Sequence, residues 1–325
     1  MPAQETLPVD GFDRVFRVDC GETVAFVALH TLLGGRAFGG IRIRAYDSED
    51  LALADATQLA RAMSRKLALA DIRGGGAKAV MIEPAQGVNR ADCVRRLGQF
   101  IESLEGAYCC GPDLGFNSED DHALREATRF VAVPGMSEAT STGVLHALKA
   151  AAGEVKRVVI QGVGSVGRPL AEKLVAQGVE VVVADPRPIK GYPTVSLDEV
   201  YEIPCDVFAP CAMGGVLNRN TISRLHCRVV CGGANNPFNM PVDERSLMAR
   251  GIDAVPAVLA NSGAAIVGAS TTLGEEHLIE ERLRAIGPMV QAVLSVARKQ
   301  GRTPQEVAHE EADRRLARAM ALELS

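Results

Sequence analysis

Val158-Val-Ile-Gln-Gly162-Val-Gly164-Ser165-Val166-Gly167 is an apolar run that breaks into a glycine turn, and a helical period follows from Arg168 to Gln177. A second apolar run, Val179-Glu-Val-Val-Val-Ala184, ends on Asp185, twenty-three residues after Gly162. Strand, glycine turn, helix and strand in that order predict a parallel β–α–β unit. Glycines at the start of such a helix let the backbone approach a pyrophosphate, which the free N–H groups of the helix N-terminus then hold. The backbone from Gly162 through Ser165 and Val166 to Gly167 is therefore a candidate dinucleotide cradle. An acid closing the second strand accepts the ribose hydroxyls, so Asp185 favours NAD over its 2′-phosphorylated form. Arg187, two residues on, leaves NADP open as the minority reading. The bland alternative is a glycine turn needed only for tight helix–strand packing.

Outward from this unit, 325 residues suffice for two domains of ordinary size. A hydrophobic content of 47% with 23% charged residues is that of a folded globular chain. The net charge of −5 gives no general attraction to nucleic acid or to an anionic membrane, so any cationic pocket is local. No basic and apolar signal peptide opens the sequence, and no apolar run reaches the length of a membrane span. The eight cysteines contain no Cys-x-x-Cys pair and read as reduced thiols, which points to the cytoplasm. Cys227 and Cys231 lack supporting histidines, so no metal site is expected.

The stretch Met63-Ser-Arg-Lys66-Leu-Ala-Leu-Ala-Asp-Ile-Arg-Gly-Gly-Gly-Ala-Lys78 sets two lysines around a glycine-rich turn. An amine held near a second cation and away from water has a depressed pKa and serves as a base. Two solvated surface lysines are the plainer alternative. Asp113, in the loop Cys109-Cys-Gly-Pro-Asp113-Leu-Gly, is read either as a turn aspartate or as a proton shuttle opposite Lys78. Met63, Met213 and the cysteine pair at 109 and 110 read as core.

Short strands are expected between Arg14 and Arg44. Ser48 or Asp47 caps a helix to about Leu69, Val80-Met-Ile is a strand, and Asn89 caps a helix to about Leu104. Helices are also expected from Ser141 to Gly153 and from Gly274 to Ile286, with a break at Gly287-Pro288 before a further helix to Lys299. Thr303-Pro-Gln-Glu306 is a capping box with proline at the first helical position.

Ile72-Arg-Gly-Gly-Gly-Ala-Lys78-Ala-Val-Met-Ile-Glu-Pro84 resembles the signature of the glutamate/leucine/phenylalanine/valine dehydrogenase family. Phe38-Gly-Gly40-Ile-Arg, Gly111-Pro-Asp113-Leu-Gly, the Cys205–Gly215 run and Gly233-Ala-Asn-Asn236 match it too, in order, over roughly residues 23 to 320. The lysine spacing is similar to that of the leucine and phenylalanine branch. The resemblance implies an N-terminal α/β substrate and oligomerisation domain and a Rossmann-type NAD-binding domain, with a cleft between them. The expected division is 1–135, 136–290 and C-terminal helices at 291–325 that pack back on the first domain. It implies that Lys66, helped by Gly39 and Gly40, holds a substrate carboxylate, that Lys78 activates water and that Asp113 moves protons. It further implies substrate contacts at Phe38, Met63, Gly111 and Asn261. Cofactor contacts are implied at Thr140, just before the linking helix, and at Cys211, Ala212 and Asn236. Thr140 as a plain helix cap is the alternative.

The implied reaction is reversible oxidative deamination of an L-amino acid by NAD, giving the 2-oxo acid and ammonia in a homo-oligomer, dimer or larger. Phe38 stands where glutamate enzymes of the family carry lysine, and it cannot pair with a γ-carboxylate. Gly111 leaves more room than alanine, so an apolar side chain is expected. The chain departs from the family pattern at Ala264, at Cys109-Cys-Gly-Pro and in a shortened 186–204 segment read as a loop. Those departures keep open a non-protein amino acid or imine as substrate; an NAD-binding protein without catalysis is a further alternative, against which the intact set of Lys66, Lys78 and Asp113 argues.

Overall fold

The computed structural model describes residues 2–133, 136–212 and 214–323. Met213 and the expected domain boundary at Gly135 lie outside them. The chain forms two α/β units. The first comprises Met1–Pro134, Gly268–Glu276 and Asp313–Ser325, the second Gly135–Val267 and His277–Ala312.

In chain order the first unit contains β1 (Gln4–Thr6), β2 (Arg14–Asp19), β3 (Val24–Leu29), β4 (Ala37–Arg44), α1 (Glu49–Leu69), β5 (Gly75–Ile82), α2 (Arg90–Ser103), β6 (Tyr108–Pro112) and α3 (Ser118–Ala127). Its strands lie in the order β1-β2-β3-β5-β4-β6. The β1/β2, β2/β3 and β3/β5 pairs are antiparallel, and β4 runs parallel to both β5 and β6. Ala25, Val27 and Leu29 of β3 pack with Leu97, Phe100 and Ile101 of α2, while Phe26 and Ala28 face Ala52, Ala56 and Ala60 of α1. A sheet covered on both faces needs apolar residues at both parities, which explains the unbroken run Val24–Leu29. Truncating a fully buried side chain here, such as Leu97, costs about 2–5 kcal/mol.

The Ser48 side chain caps α1 by accepting from the Leu51 N–H at 3.3 Å, with Glu49 and Asp50 favouring the positive helix end. The helix stops just before Asp71, which adopts a left-handed φ of 54°. The expected glycine turn ahead of Lys78 is corrected, because Gly75 and Gly76 are already inside β5. They are small because other backbones press on them. A Cβ on Gly75 would lie 1.4 Å from the Thr31 carbonyl oxygen, and one on Gly76 would lie 2.1 Å from the Ser64 nitrogen. Strand glycines here mark close approach rather than a turn. The segment Cys109–Pro112 is likewise strand β6, not loop, because β4 offers it a parallel partner from Ala37 to Ile41.

The second unit opens with α4 (Met136–Ala152), β7 (Arg157–Gln161), α5 (Gly167–Val175), β8 (Glu180–Ala184) and a 3-10 turn at Glu199–Glu202. It continues with β9 (Val207–Pro210), α6 (Arg219–Ile222), β10 (Val229–Val230), α7 (Pro241–Ala249), β11 (Asp253–Ala254) and α8 (Ala257–Ala260). The five strands are all parallel in the order β11-β10-β9-β7-β8, a Rossmann-like sheet. The segment after Asp185 carries only the 3-10 turn, in keeping with the loop expected there.

Three helices complete the chain: α9 (Gly263–Thr272), α10 (Ile279–Gln300) and α11 (Pro304–Glu323). The break expected at Gly287-Pro288 does not occur, since α10 runs through Pro288. Its apolar stripe of Leu283, Ile286, Val290, Val293, Leu294 and Ala297 continues past the proline and packs on α4. That burial outweighs the ~3 kcal/mol an interior proline costs. The capping box of α11 forms as read: Thr303 Oγ1 accepts from the Glu306 N–H, and the Glu306 carboxylate accepts from the Thr303 N–H.

Candidate active site

In the first unit, α1 and β5 are locked at one contact. The Gly76 N–H donates to Ser64 Oγ at 2.8 Å, and the Ser64 hydroxyl meets His30 Nδ1 at the same distance. Lys66 and Lys78 each stand two residues beyond the locked pair. Their separation in space is therefore set by helix and strand geometry. We expect Gly76→Ala to fall at the upper end of the ~1–3 kcal/mol range for overpacking, because its methyl meets helix backbone. Urea denaturation measures this, and a loss below about 0.5 kcal/mol would show the contact to be slack.

Lys78 is 5% exposed, and its Nζ donates to Asp113 Oδ2 at 2.6 Å. The same oxygen accepts from Arg42 Nε at 3.2 Å. Gly40 lies against both groups: a Cβ there would sit 3.0 Å from Lys78 Nζ and 2.9 Å from Asp113 Cβ. Gly40 pairs with Gly111 across β4 and β6, and Gly39 has its own Cβ position filled by the Ala77 carbonyl. Asp113 thus bridges two cations, which the turn-aspartate reading did not include. Burial and then the Lys78 charge push the Lys66 amine down to about 8. Burial also pushes the Lys78 amine below the ordinary lysine value, against the pull of Asp113. Burial alone would raise the Asp113 carboxyl, but the Lys78 and Arg42 charges hold it well below the usual range. The arrangement combines a cationic point with an amine that gives up its proton more easily than a free lysine.

Phe38 is buried, its ring edge filling the space beside Gly74 that a Cβ would need. Met63, half-buried on α1, precedes Lys66 by three residues and so shares its side of the helix. Arg42 and Asp55 were absent from the sequence-based candidates. The signal was there, since in Phe38-Gly-Gly40-Ile-Arg42 the strand period puts Arg42 on the face of Gly40.

In the second unit, Gly162 takes a φ of 94° and packs on Ala212, which excludes a side chain there. A Cβ on Gly167 would lie 2.0 Å from the Gly162 carbonyl and 3.3 Å from the Cys211 Cβ. Gly164 differs from both, because a Cβ there would meet nothing within 4 Å. That open position adjoins a pocket of about 400 Å³ lined by Val163, Gly164, Ser165, Arg168 and Arg187 among others. Val166, at the start of α5, packs where a side chain on Gly233 would stand. Asp185 Oδ2 accepts from the Val163 N–H at 2.8 Å and the carboxylate pairs with Arg187 at 2.9 Å, which holds the acid ionised beside the turn. Asn261 Nδ2 donates to the Gly233 carbonyl at 3.2 Å and to Asn235 Oδ1 at 2.9 Å. Its buried Oδ1 has no partner among the described residues and is an acceptor awaiting a donor. Asn236 is exposed and uses its backbone carbonyl to accept from Gly215.

Comparison with known proteins gives the family. A model of the Glu/Leu/Phe/Val dehydrogenase dimerisation domain matches residues 14–129, and one of Glutamate/Leucine/Phenylalanine/Valine dehydrogenase matches residues 184–323. A leucine dehydrogenase of Thermoactinomyces intermedius is 34% identical, over 85% of this chain and 82% of that protein. The chain belongs to the glutamate/leucine/phenylalanine/valine dehydrogenase family. An L-tryptophan dehydrogenase of Nostoc punctiforme is 33% identical over 91% of this chain and 90% of its own length. The crystal structure of L-tryptophan dehydrogenase from Nostoc punctiforme superimposes with a TM-score of 0.81, at 30% identity, covering 95% of this chain and 97% of that one. The two-domain α/β architecture and the oxidoreductase class, amino-acid dehydrogenase, follow from that membership.

Seen as a member of this family, the chain needs one correction at Thr140. The threonine is inside α4 rather than before it, so it does not cap that helix. Its hydroxyl donates back to the Met136 carbonyl at 3.2 Å and accepts from the Ala264 N–H at the same distance, tying α4 to the start of α9. The eight cysteines are free thiols, and among the described residues no group of His, Cys, Asp and Glu has the makings of a metal site. No described helix is long and apolar enough to cross a membrane.

Proposed function

We propose that this chain catalyses the reversible oxidative deamination of an apolar L-amino acid to the 2-oxo acid and ammonia, with NAD as oxidant. The observation that carries the reading is the ion pair of Lys78 with Asp113, in one cluster with Lys66 and Arg42. The half-buried Lys66 ammonium would hold the substrate by its carboxylate and orient the α-carbon. Lys78 in its neutral form takes a proton from water that adds to the imino acid, and Asp113 passes protons as ammonia leaves. Gly40 gives the reacting carbon room beside both groups. The conformation of Gly162 and the open face of Gly164 fit a dinucleotide, which would rest on the turn from Gly162 to Gly167 and supply the hydride acceptor, while the unpartnered Oδ1 of Asn261 is kept for the substrate. Asp185 at the end of β8 favours NAD over NADP.

Phe38 and Gly111 supply no charge for a side-chain carboxylate, and the relatives' names span leucine, phenylalanine, valine and tryptophan. We therefore assign an apolar side chain, aromatic ones included. The dimerisation-domain match supports a homo-oligomer. The test is NADH formation by the purified protein over a panel of L-amino acids, with 2-oxo acids plus ammonium and NADH in reverse. Turnover of leucine, valine, phenylalanine or tryptophan is the expected result. Turnover only of glutamate, or only with NADP, would overturn the assignment.

The cradle gives a separate prediction. Gly164→Ala introduces a methyl into open space, so we expect an unchanged Tm. The same methyl occupies the approach to the turn, so NADH should bind at least about tenfold more weakly, about 1.4 kcal/mol. Titration of NADH fluorescence beside a melting curve checks both. Undiminished binding would place the pyrophosphate elsewhere.

A further inference from the structure

One charged residue of the cluster has no part in the reaction as proposed. Arg42 projects from β4 two residues after Gly40, and its side chain is 11% exposed. Nε donates to Asp113 Oδ2 at 3.2 Å, and Nη1 donates to both oxygens of Asp55 on α1, at 3.0 and 3.3 Å. Asp55 Oδ2 also accepts from the Tyr46 hydroxyl. The guanidinium is therefore fixed at both ends, and it meets Asp113 on the same oxygen that Lys78 uses.

That shared oxygen poses a chemical problem that Arg42 answers. A lysine paired with one buried carboxylate keeps its proton, because the pair stabilises the ammonium. When the proton leaves, the carboxylate is stranded in a poorly solvated place and draws a proton back. A second cation on the same oxygen removes both difficulties, since a guanidinium is charged throughout the working range. We propose that Arg42 is a positioning residue for amino-acid oxidation: by sharing Asp113 Oδ2 with Lys78, it keeps Asp113 ionised after Lys78 has lost its proton and so lets Lys78 act as the base. This role rests on the function proposed above for its catalytic meaning, though not for its electrostatics.

The charged and titratable groups facing Lys78 are few. Arg42 and Tyr46 come from β4 and the turn after it, Asp55 and Lys66 from α1, Asp113 from the end of β6, and the Tyr108 hydroxyl lies on the Gly40 carbonyl. Among them Arg42 and Asp55 act on Lys78 with opposite sign, Arg42 disfavouring its proton and Asp55 favouring it. A merely structural tie between β4 and α1 would be broken alike by Arg42→Gln and by Asp55→Asn. The electrostatic role separates the two variants.

The experiment is competitive labelling of the intact protein with acetic anhydride from about pH 6 to about pH 11, read by mass spectrometry of the peptide carrying Lys78. It is run beside the pH profile of kcat/KM. In Arg42→Gln the half-labelling pH of Lys78 should rise by about one unit, and the ascending limb of the profile should move with it. In Asp55→Asn both should stay or move to lower pH. Arg42→Lys keeps a charge without the two-ended fork, so it should hold the limb near its place while kcat falls. A labelling curve unmoved in folded Arg42→Gln, or moved the same way in both variants, overturns the proposal. Should Arg42→Gln fail to fold, an alkaline shift in Asp55→Asn alone overturns it, and the Arg42→Lys limb supplies the supporting arm. Absence of turnover in the unaltered protein would sink the amino-acid reading, whereas the labelling shift still decides what Arg42 does to Lys78.

Discussion

Lys78→Ala should lower kcat for any accepted amino acid by about 10²–10⁴, the usual contribution of a positioned general base. The amine it removes has no replacement among its neighbours. Lys66 is, in the proposed mechanism, occupied by the substrate carboxylate, and Arg42 stays protonated. Folding should survive, because Asp113 keeps Arg42 as a partner at 3.2 Å. NADH affinity should be unchanged, since the cradle is built wholly from the Gly162–Gly167 turn and its surroundings in the second unit. The sign of the pH dependence follows from the depressed Lys78 value. The free base grows as pH rises through that value, so oxidative turnover in the unaltered enzyme should climb with pH earlier than an ordinary lysine allows. The variant should lack that limb. Stopped-flow and steady-state rates over pH measure this, and a Lys78→Ala enzyme within about fivefold of the parent would remove Lys78 from the chemistry.

The second large effect is expected at Asp113→Asn, on activity and on stability together. The carboxylate is the shared acceptor of Lys78 and Arg42, with its side chain 25% exposed. Withdrawing it leaves both cations facing a neutral amide. Breaking a buried pair costs about 3–5 kcal/mol, and the partial exposure argues for the lower end. The lysine also limits the loss by releasing its proton. Asp113 has a folded value below its unfolded one, so its contribution is complete above the unfolded carboxylate pKa of about 3.9. It is lost as pH falls from there through the folded value. The stability gap between parent and variant should thus be wide at pH 7 and should narrow progressively below about pH 4. Urea unfolding at the two pH values tests it, and a gap that does not depend on pH would mean that the charge is not what matters.

Local patterning made much of this architecture legible. The run from Val158 to Asp185 announces its strand, turn, helix and strand because each step has its own period and the glycines fall at the junction. Ser48, Asn89 and Thr303 each cap the helix that follows, as short polar side chains do wherever free N–H groups need an acceptor. What escaped the sequence was decided by distant partners. Gly75 and Gly76 looked like a turn because two adjacent glycines usually are one, and the backbones that demand them, at Thr31 and Ser64, are remote in sequence. Cys109–Pro112 became a strand only because β4 was there to pair with it. Pro288 was read as a breaker, although the stripe around it was enough to keep α10 whole. At the candidate site, Lys66, Lys78 and Asp113 stood out by residue type and setting, and the family resemblance chose between their alternative readings. Arg42 was hidden in a motif read for Phe38 and its glycines.

The first unit is stitched from three stretches of chain, which bears on the order in which it is made. Arg65, on the same helix turn as Lys66, forms a two-pronged ion pair with Asp313 at 2.8 and 2.9 Å, across 248 residues. Glu323 reaches the Gly34 N–H and Arg73 in the same unit. A ribosome adding roughly 5–20 residues per second delivers Asp313 about ten to fifty seconds after Arg65. For that interval the nascent chain carries Lys66 on a helix whose ion partner at Asp313 does not yet exist. Chaperone demand during translation should therefore peak late, and emergence of the stretch from Asp313 to Glu323, rather than of the first 134 residues, should mark the moment at which that half matures.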